Sequence, residues 1–237
     1  MMATILWHTV RQRLLRPLPL ALCLGTVVAS VVASLWTTEE VSGPMGAAFL
    51  PLLAVVLAAG LIGRDVENGS MHLLLARPLT RSQLLAGRVF GVLVVLLATG
   101  LAGWALSAGG AWLRGGDVDW ATSSATMAEH FLRASWWVAL LVAGSVALSG
   151  YRDVALFFGA FLVAELLSAI GENTGLRWFL RAGLWLFREL TFAPHLESWS
   201  LGNSAARQLL HYASNVTLAL AFAFWYFNRR EMGYGRE

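Results

Sequence analysis

From position 89 the chain reads Val89-Phe-Gly-Val-Leu-Val-Val-Leu-Leu-Ala-Thr-Gly-Leu-Ala-Gly-Trp-Ala-Leu-Ser-Ala-Gly-Gly-Ala-Trp-Leu113, closed by Arg88 on one side and Arg114 on the other. No ionisable side chain interrupts the run. A helix that crosses a bilayer needs about 20 mostly apolar residues, and this stretch exceeds that length. Stretches of the same character lie at 17–38, 41–63, 134–151, 154–171 and 208–228, with Glu165 as the one charge inside them. The pattern predicts an all-α integral membrane protein with six transmembrane helices, forming a single domain over 1–237.

Composition agrees. Hydrophobic residues make up 57% of the 237 and charged residues 13%, against about 25% charged in a soluble domain. So little charge cannot coat a water-facing surface, and so much apolar content is incompatible with disorder. All 17 basic residues are Arg. Without Lys the chain has no Walker A phosphate loop and no Schiff-base chemistry. Cys23 is the single cysteine, which excludes an internal disulfide and a Cys-based zinc site. His8, His72, His130, His195 and His211 show no ligand spacing, so no metal is expected.

An even number of crossings puts both termini on one side. With a cytoplasmic N-terminus, Arg11, Arg13, Arg16, Arg64, Arg77, Arg81, Arg88, Arg152, Arg229, Arg230 and Arg236 lie inside. Arg114, Arg133, Arg177, Arg181, Arg188 and Arg207 lie outside. This bias fits the positive-inside rule. It also accounts for the net charge of +3 by topology, with no nucleic-acid partner. Lack of Lys with abundant Ala, Leu, Val and Arg fits a GC-rich bacterial genome, hence the inner membrane with both termini cytoplasmic. The first apolar run imitates a signal peptide. It is nevertheless long enough to span and lacks a clean small-x-small site before Glu39, so a retained helix is expected.

Two flanking segments are amphipathic. Residues 1–16 set Ile5, Leu6, Trp7 and Val10 among Arg11, Arg13 and Arg16, the pattern of a short interfacial helix. Residues 172–207 alternate Arg177, Arg181 and Arg188 with Trp178, Phe179, Leu180, Leu184, Trp185, Leu186 and Phe187, which fits an outer interfacial helix or a re-entrant one. The polar stretch 114–130 is expected to be a short loop without chemistry. Gly87, Gly91, Gly100 and Gly103 offer small-residue packing along the third span. Glu165 is the one ionisable group well inside a span. It is a candidate for the translocation path, or a carboxylate reaching water at the interface.

The most informative stretch is 64–88. Asn68-Gly69 is a turn signal, and Met71 to Ala76 form an apolar patch between charges. Pro78 ends that patch and keeps Arg77 out of helix. Thr80 and Gln83 have capping-box spacing, so a new helix should start there and run into the third span. A short helix exposing Met71, Leu73, Leu74 and Leu75 either lies on the membrane or docks into a groove of a soluble partner. Composition leaves both open.

The run Glu67-x-Gly69-Ser70-x-x-Leu73-Leu74-Leu75-Ala76-Arg77-Pro78-Leu79-Thr80-Arg81, followed by Leu84-Leu85-x-Gly87-Arg88, resembles the signature of type-2 ABC transporter permeases. Ser70 stands where that family has Thr, and Arg88 where it has Lys. The resemblance implies a membrane permease of an ATP-driven exporter. Its 64–88 loop would form a cytoplasmic coupling helix seated in a cleft of a separate ATPase, and the working unit would hold two permeases and two ATPases. ATP and Mg would be bound by the ATPase, leaving this chain without a cofactor or catalytic residues of its own. On this resemblance Glu67 orients the loop or meets a basic group, and Gly69 allows a turn or close approach. Met71, Leu73, Leu74 and Leu75 supply the docking face, and Pro78 and Thr80 set the turn into span three. Arg77, Arg81 and Arg88 pair with ATPase carboxylates or lipid phosphates, or serve topology alone. Membrane lipids and an accessory envelope protein complete the expected partners. Three alternatives are a haem-exporter-type permease of cytochrome maturation, a non-transporting membrane scaffold and an intramembrane enzyme. The last would need clustered polar groups that the spans lack.

Overall fold

The computed structural model describes residues 2–14, 16–36, 45–68, 80–115, 118–194, 196 and 203–229. Among them every regular element is helical. In chain order these are α1 (Met2–Leu14), α2 (Pro17–Trp36), a 3-10 turn (Met45–Phe49), α3 (Leu50–Ala58) and α4 (Gly63–Glu67). They are followed by α5 (Arg81–Leu113), α6 (Trp120–Ala147), α7 (Arg152–Thr174), α8 (Arg177–Leu190) and α9 (Asn203–Arg229).

Five helical stretches are long and apolar enough to cross a membrane: α2, the composite run Ala47–Glu67, α5, α6 and α7. The chain is therefore a multi-pass membrane protein. α9 covers the expected sixth span and is long enough at 27 residues. It carries His211, Asn215 and several hydroxyls, and it does not reach the same apolar level.

The apolar runs mark lipid contact better than helix length. At about 1.5 Å per residue, the 33 residues of α5 reach about 50 Å, and the hydrocarbon core is only about 30 Å thick. α5 accordingly starts at Arg81, ahead of the expected span. α6 starts at Trp120, so most of the stretch expected as a loop at 114–130 is helix. The Asp119 carboxylate makes this start: it accepts the N–H of Ala121 at 3.0 Å and of Thr122 at 3.2 Å. Such an N-cap satisfies donors that a helix end leaves open. The hydroxyl of Thr126 donates back to the Thr122 carbonyl at 2.9 Å, which lets polar residues sit in the first turns.

α3 forms the centre of the bundle. Leu50, Leu53, Ala54, Leu57, Ala58, Leu61 and Ile62 are buried against α5 and α6. α2 packs along α5 through small residues: a Cβ on Gly103 would lie 2.9 Å from Ser30 Oγ, and one on Gly110 2.8 Å from Ser34 Oγ. α1 is the helix expected at the N-terminus and lies on α5, with Ile5 over Gly87.

α7 carries an almost continuous exposed apolar surface, including Leu156, Phe158, Leu162, Val163 and Leu166. After Gly175 (φ +70°), α8 turns back and runs antiparallel along α7, as Gly171 against Leu180, Gly183 against Ser168 and Phe161 against Phe187 show. Its end is fastened to α6, where the indole N–H groups of Trp136 and Trp137 donate to the carbonyls of Glu189 (2.9 Å) and Leu190 (2.8 Å).

Candidate functional site

The two ends of the 64–88 loop meet at one end of the bundle, together with α1, the α6–α7 turn and the last turn of α9. Arg16, Arg64, Arg81, Arg88, Arg152 and Arg229 lie there and make it the basic end.

The sequence reads 41–63 as one apolar span, yet the helix is broken between Ala59 and Ile62. Gly60 has φ +57°, a conformation that residues with a Cβ rarely adopt. A break at this depth frees backbone donors, and an unsatisfied one in an apolar setting costs several kcal/mol. Side chains from other helices take them up. Gly60 N–H donates to Asp153 Oδ2 at 2.9 Å, and Ile62 and Gly63 N–H both donate to Ser145 Oγ at 2.9 and 3.0 Å. Ser145 and Asp153 are both buried.

The break also fits tightly against the α6–α7 turn. A Cβ on Gly63 would lie 2.7 Å from the Leu148 carbonyl and 2.8 Å from that of Gly150. Glu67 is exposed and its carboxylate borders Gly150, where an added Cβ would come within 2.7 Å of Oε2. Arg64 donates to the Tyr151 hydroxyl at 3.2 Å and lies over that ring.

α4 is tied to α5 by charge. Arg88, only 8% exposed, pairs with Asp65 and donates to the Leu61 carbonyl. Such a pair holds geometry more than it adds stability, because desolvation offsets most of its attraction. Arg88 is thus engaged inside the molecule, and its expected pairing with an outside carboxylate or lipid phosphate is replaced by Asp65. A polar cavity of about 240 Å³ lies beside the pair, bounded by Thr9, Gln12, Arg16, Arg64 and Asn68.

On the other side of the loop the expected capping box is present. Thr80 Oγ1 accepts the Gln83 N–H, and Gln83 Oε1 accepts the Thr80 N–H, both at 3.2 Å. Arg81 donates to the carbonyls of Phe227 (3.4 Å) and Asn228 (3.3 Å), capping the last turn of α9 as a cation at a helix C-terminus does. Ser82 and Asn228 exchange hydrogen bonds at 3.2 and 3.0 Å.

Of the loop residues singled out in the sequence, the structure brings Glu67, Thr80 and Arg81 to this platform. Gly69, Met71, Leu73, Leu74, Leu75, Arg77 and Pro78 lie outside the described residues. Glu165 is exposed on α7, next to Ala164, which is buried under α8. Among the described residues no group of three or more His, Cys, Asp or Glu side chains could hold a metal ion. The sequence reading passed over Gly60, Gly63, Ser145 and Asp153. Their only local trace was Gly60-x-x-Gly63 inside an apolar run and an acid at the start of the fifth span.

Fold and site together define a polytopic helical membrane protein with a buried ion pair and a capping box at the two ends of one connecting loop. The family model described as ABC-2 family transporter protein matches residues 10–173, more than half of the chain, and the chain belongs to this family. The match runs from α1 to the last turn of α7 and includes the whole 64–88 loop. Membership implies a membrane permease of an ABC transporter, with ATP hydrolysis supplied by a partner subunit. No curated protein matches the chain.

Proposed function

We propose that this chain is the permease subunit of an ATP-driven ABC exporter, that two copies form the translocation path, and that loop 64–88 couples them to a separate cytoplasmic ATPase. The observation that carries this reading is the mounting of the loop. Its entry, α4, and its exit, α5, are joined by the buried Asp65–Arg88 pair, and the exit is capped by Thr80 and tied to α9 by Arg81. A loop held at both ends can transmit a displacement to the helices, whereas a slack linker would absorb it. In this reading α9 is the sixth crossing and the basic end faces the cytoplasm, in line with the positive-inside rule. α1 lies at the inner interface, while α8 lies on the outer side against α7. Glu165, exposed on α7, is available to the translocation path.

The test is a pull-down of the tagged chain in mild detergent with its ABC ATPase, followed by an ATPase assay. Leu74→Asp puts a charge on the docking face and should release the ATPase or abolish its stimulation by the permease. ATPase recovery and activity unchanged by Leu74→Asp would overturn the coupling assignment.

A further inference from the structure

A groove of about 980 Å³ runs along the basic end between the start of α2, α3 and the first turns of α7. This is at the upper end of the usual volume of a small-molecule site. Its walls are apolar, with Leu52, Val55 and Val56 on one side and Val154, Ala155 and Phe158 on the other. Arg16 and Arg64 are its charged lining residues, and these same two also border the 240 Å³ polar cavity.

The third arginine of that cavity, Arg88, is matched by Asp65. Among the described residues neither Arg16 nor Arg64 has a carboxylate partner, and Arg64 is braced by the Tyr151 hydroxyl and ring. Two half-buried guanidinium groups therefore line both an apolar groove and a polar cavity. That is the chemistry of an amphiphile with an anionic head. Guanidinium forks match phosphate oxygens, and basic pockets between membrane helices take anionic lipid head groups.

We propose that this groove binds an anionic phospholipid, one acyl chain lying between α3 and α7 and the phosphate resting on Arg16 and Arg64. The inference stands on the membrane fold alone and does not depend on coupling to an ATPase.

Native mass spectrometry of the purified, delipidated chain tests it, with phosphatidylglycerol, phosphatidylcholine of the same acyl chains, and inorganic phosphate as probes. Phosphatidylglycerol should bind at least tenfold more tightly than phosphatidylcholine, and inorganic phosphate alone should not compete at millimolar concentration. Arg16→Gln with Arg64→Gln should bring phosphatidylglycerol down to the phosphatidylcholine level. Ala155→Trp, which fills the groove without changing charge, should weaken both lipids. Arg229→Gln, at the same end but outside the groove, should leave the preference intact. Equal binding of the two lipids by the unaltered chain would overturn the proposal without reference to any variant. Loss of preference in Arg229→Gln would mean diffuse surface charge, and competition by phosphate would mean a free-anion site. Either result would equally overturn it.

Discussion

The break in the second span and the α7–α8 contact hold their helices by different means. At the basic end the chain departs from regular helix, and buried polar side chains repair the departure: Ser145 and Asp153 for the freed N–H groups, Arg88 for Asp65. α7 and α8 instead stay regular and meet through small residues and ring edges, Gly171 on Leu180, Gly183 on Ser168, Phe161 on Phe187. Polar repair fixes one geometry, because the partners must meet at hydrogen-bond distance. Packing of small residues fixes proximity and leaves the register of α8 to the two indole bonds at its end. The first suits a platform, the second a flank.

The largest test of this contrast compares two glycines. A Cβ at Gly63 would meet two backbone carbonyls at 2.7 and 2.8 Å, and one at Gly183 would meet the Ala164 carbonyl at 2.7 Å. Backbone cannot yield as a flexible side chain does, so overpacking at either site should reach about 3 kcal/mol or more. Gly63→Val should destabilise the whole bundle, seen as a lowered melting temperature by tryptophan fluorescence. Gly183→Val should leave that global transition in place and open only the α7–α8 hairpin to limited proteolysis. Gly25→Val, with nothing within 4 Å, is the control. Equal global losses at 63 and 183 would erase the distinction between platform and flank.

The ion pair comes next. Arg88→Met removes the guanidinium that pairs with Asp65, and breaking a buried pair costs about 3–5 kcal/mol. Asp65 keeps 20% of its side-chain surface, so the lower end, about 3 kcal/mol, is expected. Arg88→Met combined with Asp65→Leu should recover most of it. Failure of the double variant to recover would show that Arg88 acts through the Leu61 carbonyl.

The smallest effect concerns Asp119. The Thr122 hydroxyl, then the Thr122 N–H, hold its carboxyl below the usual carboxylate range. A depressed folded pKa contributes stability above the ordinary carboxylate pKa, and that contribution is lost as pH falls towards the folded value. Asp119→Asn should therefore melt slightly below the unaltered chain at pH 6, and the gap should narrow steadily on acidification. A gap that does not narrow as the pH falls would refute a role for this titration.

Much of this arrangement was legible because it is local. The apolar runs located α2, α5, α6 and α7, the Thr80–Gln83 spacing located the start of α5, and the Arg-aromatic alternation located α8. The broken second span was not legible. Gly60 and Gly63 are unremarkable in a membrane helix, and the groups that make their break tolerable, Ser145 and Asp153, come from elsewhere in the chain. Arg88 read as an outward-facing charge, for an ATPase, lipid phosphates or topology alone, because sequence gives its charge and not its burial. Helix ends were misjudged at α6 because hydropathy reports lipid thickness, while the helix continues into water on an Asp119 cap.

The loop at 64–88 joins unlike supports. On its far side stands α5, an unbroken rod of about 50 Å whose first turns project beyond the apolar layer. On its near side stands α4, a short stub separated from α3 by a joint whose backbone bonds are held by neighbouring helices. Those bonds and the Asp65–Arg88 pair fix the joint, so a push on the stub would not be absorbed there. It would pass to α6 and α7 through Ser145 and Asp153, and to α5 through Arg88.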